Sequence, residues 1–184
     1  MRRLFSKFEE TEVFIEKGQS VESFMPLLRI DNTGMKPECF LASVDYLESE
    51  VAPKLFEAHW QEVGQDKSWR VDIHWQYYRQ LESLNMLRAV VLKLGNEPVG
   101  YFLFVISPSL HYKTKQLASS DMFYLMPEHR AKYAVRLFRA AEAYAKAAGA
   151  DKMYIAFKIY KDILPLTKRL GFAHVENVVV KSLE

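Results

Sequence analysis

Between Ser119 and Phe157 the chain reads SSDMFYLMPEHRAKYAVRLFRAAEAYAKAAGADKMYIAF, and the chemistry it offers is anion binding at a strand–helix junction. A strand ending at the amino terminus of a helix presents first-turn N–H groups that have no intrahelical partner and lie at the positive end of the helix dipole. A pyrophosphate placed there would need little side-chain help. Asp121 to Met126 is dominated by aromatic and aliphatic residues, as a strand packed on both faces should be. Pro127 removes a backbone donor and ends it, and Glu128 suits the first turn of a helix by charge. Beyond it Ala134, Leu137, Phe138, Ala141, Tyr144, Ala145 and Ala148 recur at three- and four-residue steps as one apolar stripe. Arg136, Arg139, Glu142 and Lys146 fall mostly on the wet side, and Gly149 closes the helix. Met153 to Phe157 reads as the next strand, which makes a β-α-β crossover. Such a unit is also an ordinary building block of α/β proteins, so the junction alone assigns no function.

The whole chain sets bounds on its partners. Its 184 residues predict one domain, 1–184, with an irregular amino-terminal extension over 1–35. With 49% hydrophobic and 14% aromatic residues there is material for a full core. A net charge of +2 argues against a nucleic-acid binder driven by counterion release. Arg2, Arg3 and Lys7 read as a solvated tail. Cys39 is the one cysteine, so no internal disulfide is available, and no metal-ligand spacing surrounds it. Set in Pro37-Glu38-Cys39-Phe40-Leu41, it is expected on a helix as a small core hydrophobe. The five histidines lack the clustering of a metal site, so no metal is expected. No long apolar run spans a membrane and the start lacks a secretory segment, which fits a soluble, reducing, cytoplasmic setting.

The elements that must position the junction follow from pattern. Glu12 to Lys17 suits a short strand, and Asp31-Asn32-Thr33-Gly34 is a turn signal. Pro37 to Trp60 reads as helix broken near Pro53, and Trp75 to Leu84 as another. Leu87–Lys93 and Val99–Ile106 are strands joined through Leu94-Gly95-Asn96-Glu97-Pro98, a hairpin. Ser107 to Thr114 connects onward. Asp162 to Leu170 is a short helix ended by Gly171, and Phe172–Val175 and Asn177–Ser182 read as two final strands. The order predicts an α/β fold, a mixed sheet with helices on both faces.

This order, with these residues, resembles the GNAT superfamily of acyl-CoA N-acyltransferases. The resemblance rests on Ala89-Val90-Val91-Leu92-Lys93 followed by Glu97-Pro98-Val99-Gly100-Tyr101, on Tyr124-Leu125-Met126-Pro127-Glu128-His129-Arg130, and on Leu166-Thr167-Lys168-Arg169-Leu170-Gly171-Phe172. It covers roughly Leu87 to the carboxyl terminus, 87–184, which would be the acyl-CoA-binding core of a mostly antiparallel, twisted sheet. More narrowly the chain is similar to members encoded by tailed phages, through His59-Trp60, Pro108-Ser109-Leu110-His111-Tyr112 and Asp121-Met122-Phe123-Tyr124-Leu125. That likeness implies the host cytoplasm as its setting.

The resemblance implies direct transfer of acetyl from acetyl-CoA to an amine. The strand ending at Leu125 and Met126 would splay from its neighbour and hydrogen-bond the pantetheine arm as an added strand. A loop over Arg130, Ala131, Lys132, Tyr133, Ala134 and Val135 would wrap the pyrophosphate with main-chain N–H groups, Arg130 and Lys132 adding charge. A backbone donor near Leu125 and Met126 would stabilise the thioester oxygen. Asp121 is the candidate base, and a carboxylate among Phe123, Tyr124 and Leu103 would be partly desolvated; a structural aspartate capping nearby backbone is the equal alternative. His111 and Tyr112 follow the hairpin and are candidates for the acceptor side, which His59 could reach from the early helix. Each is otherwise a packed or surface residue.

Two departures bear on the mechanism. The family's usual loop is R-x-x-G-x-G or R-x-x-G-x-A, whereas Arg130-Ala131-Lys132-Tyr133-Ala134-Val135 has no glycine and is one residue shorter. Many members also protonate the leaving thiolate with a tyrosine four residues before the glycine of L-G-F, and here that residue is Thr167. Tyr160, where the family often has asparagine, is a substitute donor or a core residue. Two function classes follow. One is an acetyl-CoA-dependent N-acetyltransferase acting on a protein or small-molecule amine, a host molecule included. The other is a catalytically weakened protein of the same fold that binds and modulates a host partner. Glu38, Asp45, Glu48 and Glu50 permit an acidic cleft for a small polyamine. Val178-Val179-Val180 suits either a homodimer contact through the final strands or an inner strand.

Overall fold

The computed structural model describes residues 36–64 and 69–183. The strand expected at Glu12–Lys17 and the turn at Asp31–Gly34 lie outside the described residues.

The hairpin forms where the turn chemistry places it. Strand β2 (Leu87–Leu94) pairs antiparallel with β3 (Glu97–Pro108), and Gly95 takes the left-handed φ of 61° that the tight reversal requires. Strand β4 (Gln116–Leu125) runs back antiparallel to β3. It starts five positions before Asp121, because Leu117 to Ser120 also find partners on β3. Helix α4 (Pro127–Ala147) starts with proline inside its first turn and ends before Gly149, whose φ is 82°. Strand β5 (Lys152–Tyr154) lies parallel to β4, completing the crossover.

β1 (Pro37–Ala42) corrects the helix expected there. It pairs antiparallel with β2 from Pro37↔Leu94 to Ala42↔Ala89, and Cys39 is a buried strand residue. Partner strand and core override a local pattern that also suited a helix. The chain then turns helical at α1 (Val44–Tyr46), widens into a π-helical turn (Leu47–Val51) and continues as α2 (Ala52–Val63). Pro53 therefore does not break the helix. The wider turn just before it, in which the Ala52 N–H reaches the Leu47 carbonyl, accommodates the missing donor. Helix α3 (Trp75–Ser83) and helix α5 (Leu164–Arg169) complete the elements.

The sheet order is β1-β2-β3-β4-β5, antiparallel except for its last pair. Helix α4, with Leu170 after α5, covers one face over a core of Val90, Leu92, Phe102, Phe104, Leu137 and Ala141. On the other face α1, the π-helical turn, α2 and α3 meet Ala89, Val91, Tyr101, Leu103 and Tyr124. The expected mixed sheet with helices on both faces is thus present. Arg136, expected on the wet side of α4, is buried, 5% exposed. No strand forms over 172–183. Val178, Val179 and Val180 are 84%, 94% and 79% exposed, so the inner-strand reading does not hold. A β-branched run makes a strand only where a ladder and a packed face receive it.

Candidate functional site

Two irregularities of β4 create the site. The first is a bulge. Leu103 pairs with Met122 and Phe104 with Ser120, so Asp121 is an extra residue with no opposite number on β3. Strict alternation would put Asp121 on the face of Phe123, toward α4. The bulge turns it to the other face, where Oδ2 accepts a hydrogen bond from the Tyr78 hydroxyl of α3 at 2.5 Å. Burial, with the carboxylate adding to it, raises the Tyr78 phenol far above its ordinary value, so it stays protonated and donates. Asp121 itself is exposed, not enclosed among Phe123, Tyr124 and Leu103 as its sequence neighbours suggested.

The second irregularity is a wedge. β4 and β5 pair only over Leu117–Ser119 against Lys152–Tyr154. Past that point the chains part, and the last link is the Ala156 N–H donated to Ser120 Oγ at 2.9 Å. The Met126 N–H bonds the Val99 carbonyl at 3.0 Å, which fixes the parity of the strand end. Met126 and Tyr124 direct their backbone groups to β3, whereas Phe123 and Leu125 direct theirs into the wedge. Gly100 lets β3 run this close. A Cβ there would lie 2.7 Å from Leu125 Cδ1 and 2.9 Å from the Tyr124 carbonyl oxygen.

Beside the wedge is an aromatic wall. His59 Nδ1 is 2.6 Å from the Tyr101 hydroxyl, and the imidazole stacks on Tyr124 at 5.1 Å between centroids. Phe56 packs on Tyr101 at 4.9 Å and on Trp75 at 5.8 Å. Burial pushes the His59 imidazole down to about 4 and the Tyr101 phenol far up, so a neutral ring and a protonated phenol share one hydrogen. Arg130 lies over the Tyr124 ring, 5.6 Å from its centroid.

The residues expected to form a pyrophosphate loop are not a loop. Arg130 closes the first turn of α4, and Ala131, Lys132, Tyr133, Ala134 and Val135 lie in the next two, where amides are spent within the helix. The His129 N–H bonds the Met126 carbonyl at 2.9 Å. Without glycine this stretch has no reason to leave helical geometry, and Tyr133 is buried in the core on the α4 face. Beyond the first-turn Glu128 amide, what remains for an anion is side-chain charge. Arg130 donates from Nε to the Leu125 carbonyl at 2.8 Å and from Nη2 to Glu62 Oε2 at 2.5 Å. Lys161 Nζ reaches Glu62 Oε1 at 3.2 Å.

The sequence-derived candidates therefore divide. Asp121, Leu125, Met126, Arg130 and His59 come together around the wedge and its wall. Tyr160 joins the rim through its hydroxyl, which donates to the Val63 carbonyl at 2.6 Å. It is exposed, so it is not the core residue of the alternative reading. Thr167 is buried and its hydroxyl bonds the Leu164 carbonyl at 3.2 Å. His111 and Tyr112 are not brought in. They sit exposed in the turn between β3 and β4, at the opposite end of β4 from Leu125. Of the acids that permit an acidic cleft, Asp45 and Glu48 pair with Arg79 and Glu38 with Lys93, and Glu50 is exposed. A groove of about 310 Å³ lined by Lys54, Leu55, Glu97, Pro98, Val99, Met126 and His129 flanks the other side of the junction and contains neither Asp121 nor His59. No cluster of metal-ligating side chains occurs among the described residues, and no helix there is long and apolar enough to cross a membrane. Sequence reasoning missed Tyr78, Tyr101, Glu62 and Lys161. The only local signal was spacing: His59 and Glu62, like Trp75 and Tyr78, are three apart and share a helix face.

Comparison with known proteins bears on this arrangement. The model of a family described as "Acetyltransferase (GNAT) family" matches residues 50–172. No curated protein matches the chain. Among solved structures, the chain is similar to a ribosomal-protein-alanine N-acetyltransferase from Brucella melitensis biovar Abortus 2308, at 19% identity and TM-score 0.60, over 80% of this chain and 99% of that one. It is similar to the aminoglycoside N-acetyltransferase AAC(6')-Iy in complex with CoA, at 15% identity and TM-score 0.63, over 81% and 95%. It is also similar to an aminoglycoside 6'-N-acetyltransferase from Acinetobacter baumannii, at 18% identity and TM-score 0.58, over 81% and 99%. At these identities the likeness is one of fold.

Proposed function

Because the chain belongs to the acetyltransferase (GNAT) family, we propose that it is an acetyl-CoA-dependent N-acetyltransferase, with Asp121 as the base that frees the acceptor amine for attack. The single observation that carries this reading is the bulge that turns Asp121 out of the α4 core and onto Tyr78, beside the open edge of β4. A residue that served only the fold would have no use for an irregularity that exposes it.

The site fits the cosubstrate in part. The wedge-facing backbone of Phe123 and Leu125 can pair an amide-bearing arm, and Arg130 and Lys161 supply positive charge. The α4 main chain does not offer the expected amide cradle. Acetyl-CoA supplies an activated acyl group. The protein's part is to hold it, take up the proton of the acceptor ammonium, pass the second proton the nitrogen loses on to the leaving sulfur, and stabilise developing charge. Asp121 accepts a proton from the acceptor ammonium while the Tyr78 hydroxyl fixes the orientation of its carboxylate. The Leu125 N–H faces the wedge and is the backbone donor for the thioester oxygen, since the Met126 N–H is committed to Val99. Tyr160 is a rim hydroxyl that could return a proton to the leaving sulfur, once released from Val63. His59, held by Tyr101 and Tyr124, forms the wall on which the acceptor rests. The acceptor is an amine of a protein or a small molecule, and a host molecule if the likeness to phage-encoded members holds.

One observation favours a second reading, a catalytically weakened binding protein. Arg130 and Tyr160 are both held by the end of α2, at Glu62 and Val63. Calorimetric titration with acetyl-CoA separates the two. The enzyme reading expects binding, and expects Asp121→Asn to lower kcat by about 100-fold or more while the cofactor Kd is unchanged. Absence of binding at millimolar acetyl-CoA would leave the second reading. Equal loss of kcat and affinity would remove Asp121 as the base.

A further inference from the structure

The last turn of α2 spans the two lips of the wedge. Arg130 belongs to the lip that leads from β4 into α4, and Lys161 to the lip that follows β5. Both cations converge on one carboxylate, Glu62, whose Oε2 is 2.5 Å from Arg130 Nη2 and whose Oε1 is 3.2 Å from Lys161 Nζ. The Glu62 side chain is 18% exposed, less than either partner, at 40% and 43%. The neighbouring Val63 carbonyl holds the Tyr160 hydroxyl at 2.6 Å, so the same turn ties down the residue before Lys161. Arg130 is further fixed by its Nε bond to the Leu125 carbonyl, a group that faces the wedge.

A guanidinium and an ammonium presented to two oxygens of one anion is also how side chains hold a phosphate. Here the anion is the protein's own. The helical amides of Arg130 to Val135 are internally bonded, so an anionic ligand entering the wedge has these two side chains to meet and one carboxylate to remove.

We propose that Arg130 and Lys161 form a side-chain site for the diphosphate of the acyl carrier, and that Glu62 occupies it as an internal counter-ion which the ligand must displace. The proposal rests on the acyl-CoA reading of the wedge and adds what that reading lacks, a diphosphate site made by side chains in place of main-chain amides. It makes Glu62 a specificity residue. A diphosphate carries more charge and more acceptor oxygens than a carboxylate and can replace it, whereas a singly charged small anion cannot. It also makes affinity for the carrier weaker than the two cations alone would give.

The test is calorimetric titration of the full chain and its variants with three probes: CoA, pantetheine (which lacks the diphosphate) and inorganic pyrophosphate. Glu62→Gln is expected to tighten CoA and pyrophosphate about tenfold and to leave pantetheine unchanged. Lys161→Met is expected to weaken CoA about tenfold, again sparing pantetheine. Should Glu62→Gln melt or aggregate, Glu62→Asp keeps the charge but draws it back from both cations, and the same direction is expected. Weaker or unchanged CoA binding in the Glu62 variants would overturn the proposal, because a carboxylate that merely braces Arg130 would lose affinity on removal. So would equal tightening of pantetheine. If no variant binds CoA or pantetheine, the acyl-CoA reading fails, and tighter pyrophosphate binding in Glu62→Gln would still support the anion site.

Discussion

Phe102 and Phe123 point to one side of the sheet, and their chain neighbours Tyr101 and Tyr124 point to the other. On the α4 side Phe102 stacks on Phe123 at 5.1 Å and both meet Phe138 edge-on, within a core of aliphatic side chains. On the α2 and α3 side Tyr101 holds His59, Tyr124 lies between His59 and Arg130, and Tyr78 holds Asp121. The same two strands thus build a face that stabilises and a face that can do chemistry, and each tyrosine differs from its phenylalanine neighbour by one hydroxyl. A strand with period 2 can specify two environments at once. The cost of placing polar groups against a sheet is offset here because the Tyr101 hydroxyl has His59 and the Tyr78 hydroxyl has Asp121 as partner.

The comparison can be broken most forcefully on the apolar side. Phe102→Ala should remove about 4 kcal/mol of stability, leaving a cavity under α4, and urea denaturation should show the midpoint falling with little change in slope. Next comes the acid limb. His59 has a folded value near 4 against about 6.5 when unfolded, so its contribution to stability is complete above pH 6.5. That contribution declines as the pH falls through the window to about 4, by about 3 kcal/mol, and then levels off. Glu62 has its carboxyl lowered chiefly by the Arg130 hydrogen bond, against the opposing effect of burial, and adds a loss of the same sign at still lower pH. Thermal melts of the protein and of His59→Gln between pH 7 and pH 4 measure this, and the variant should show a flatter profile. The smallest effect is expected for Tyr101→Phe, which makes the chemical face resemble the other. Volume is conserved and one hydrogen bond is lost, so stability should drop by about 1 kcal/mol. A drop of about 4 kcal/mol would mean that the two faces are not separable.

The elements legible in the sequence were those specified locally. The hairpin around Gly95, the β-α-β crossover and the stop at Gly149 each carry turn or cap residues within a few positions, and all three are in place. Pro37–Ala42 was read as helix because its strand identity resides in β2, some fifty residues later. Val178–Val180 was read as strand on composition, and no partner edge receives it. In the candidate site, Asp121, Leu125 and Arg130 could be singled out from one short motif. Their partners could not, because Tyr78 to Asp121 spans 43 residues and Glu62 to Arg130 spans 68. The face on which Asp121 emerges was hidden for another reason: alternation gives the wrong answer wherever a ladder gains a residue.

That surplus position has an evolutionary edge to it. Losing the Ser120 codon would let β3 and β4 zip without interruption and swing the acidic group beneath α4, among phenylalanines. Across relatives of this chain, a gap at that spot should therefore mark proteins that kept the scaffold and lost the carboxylate proposed as base.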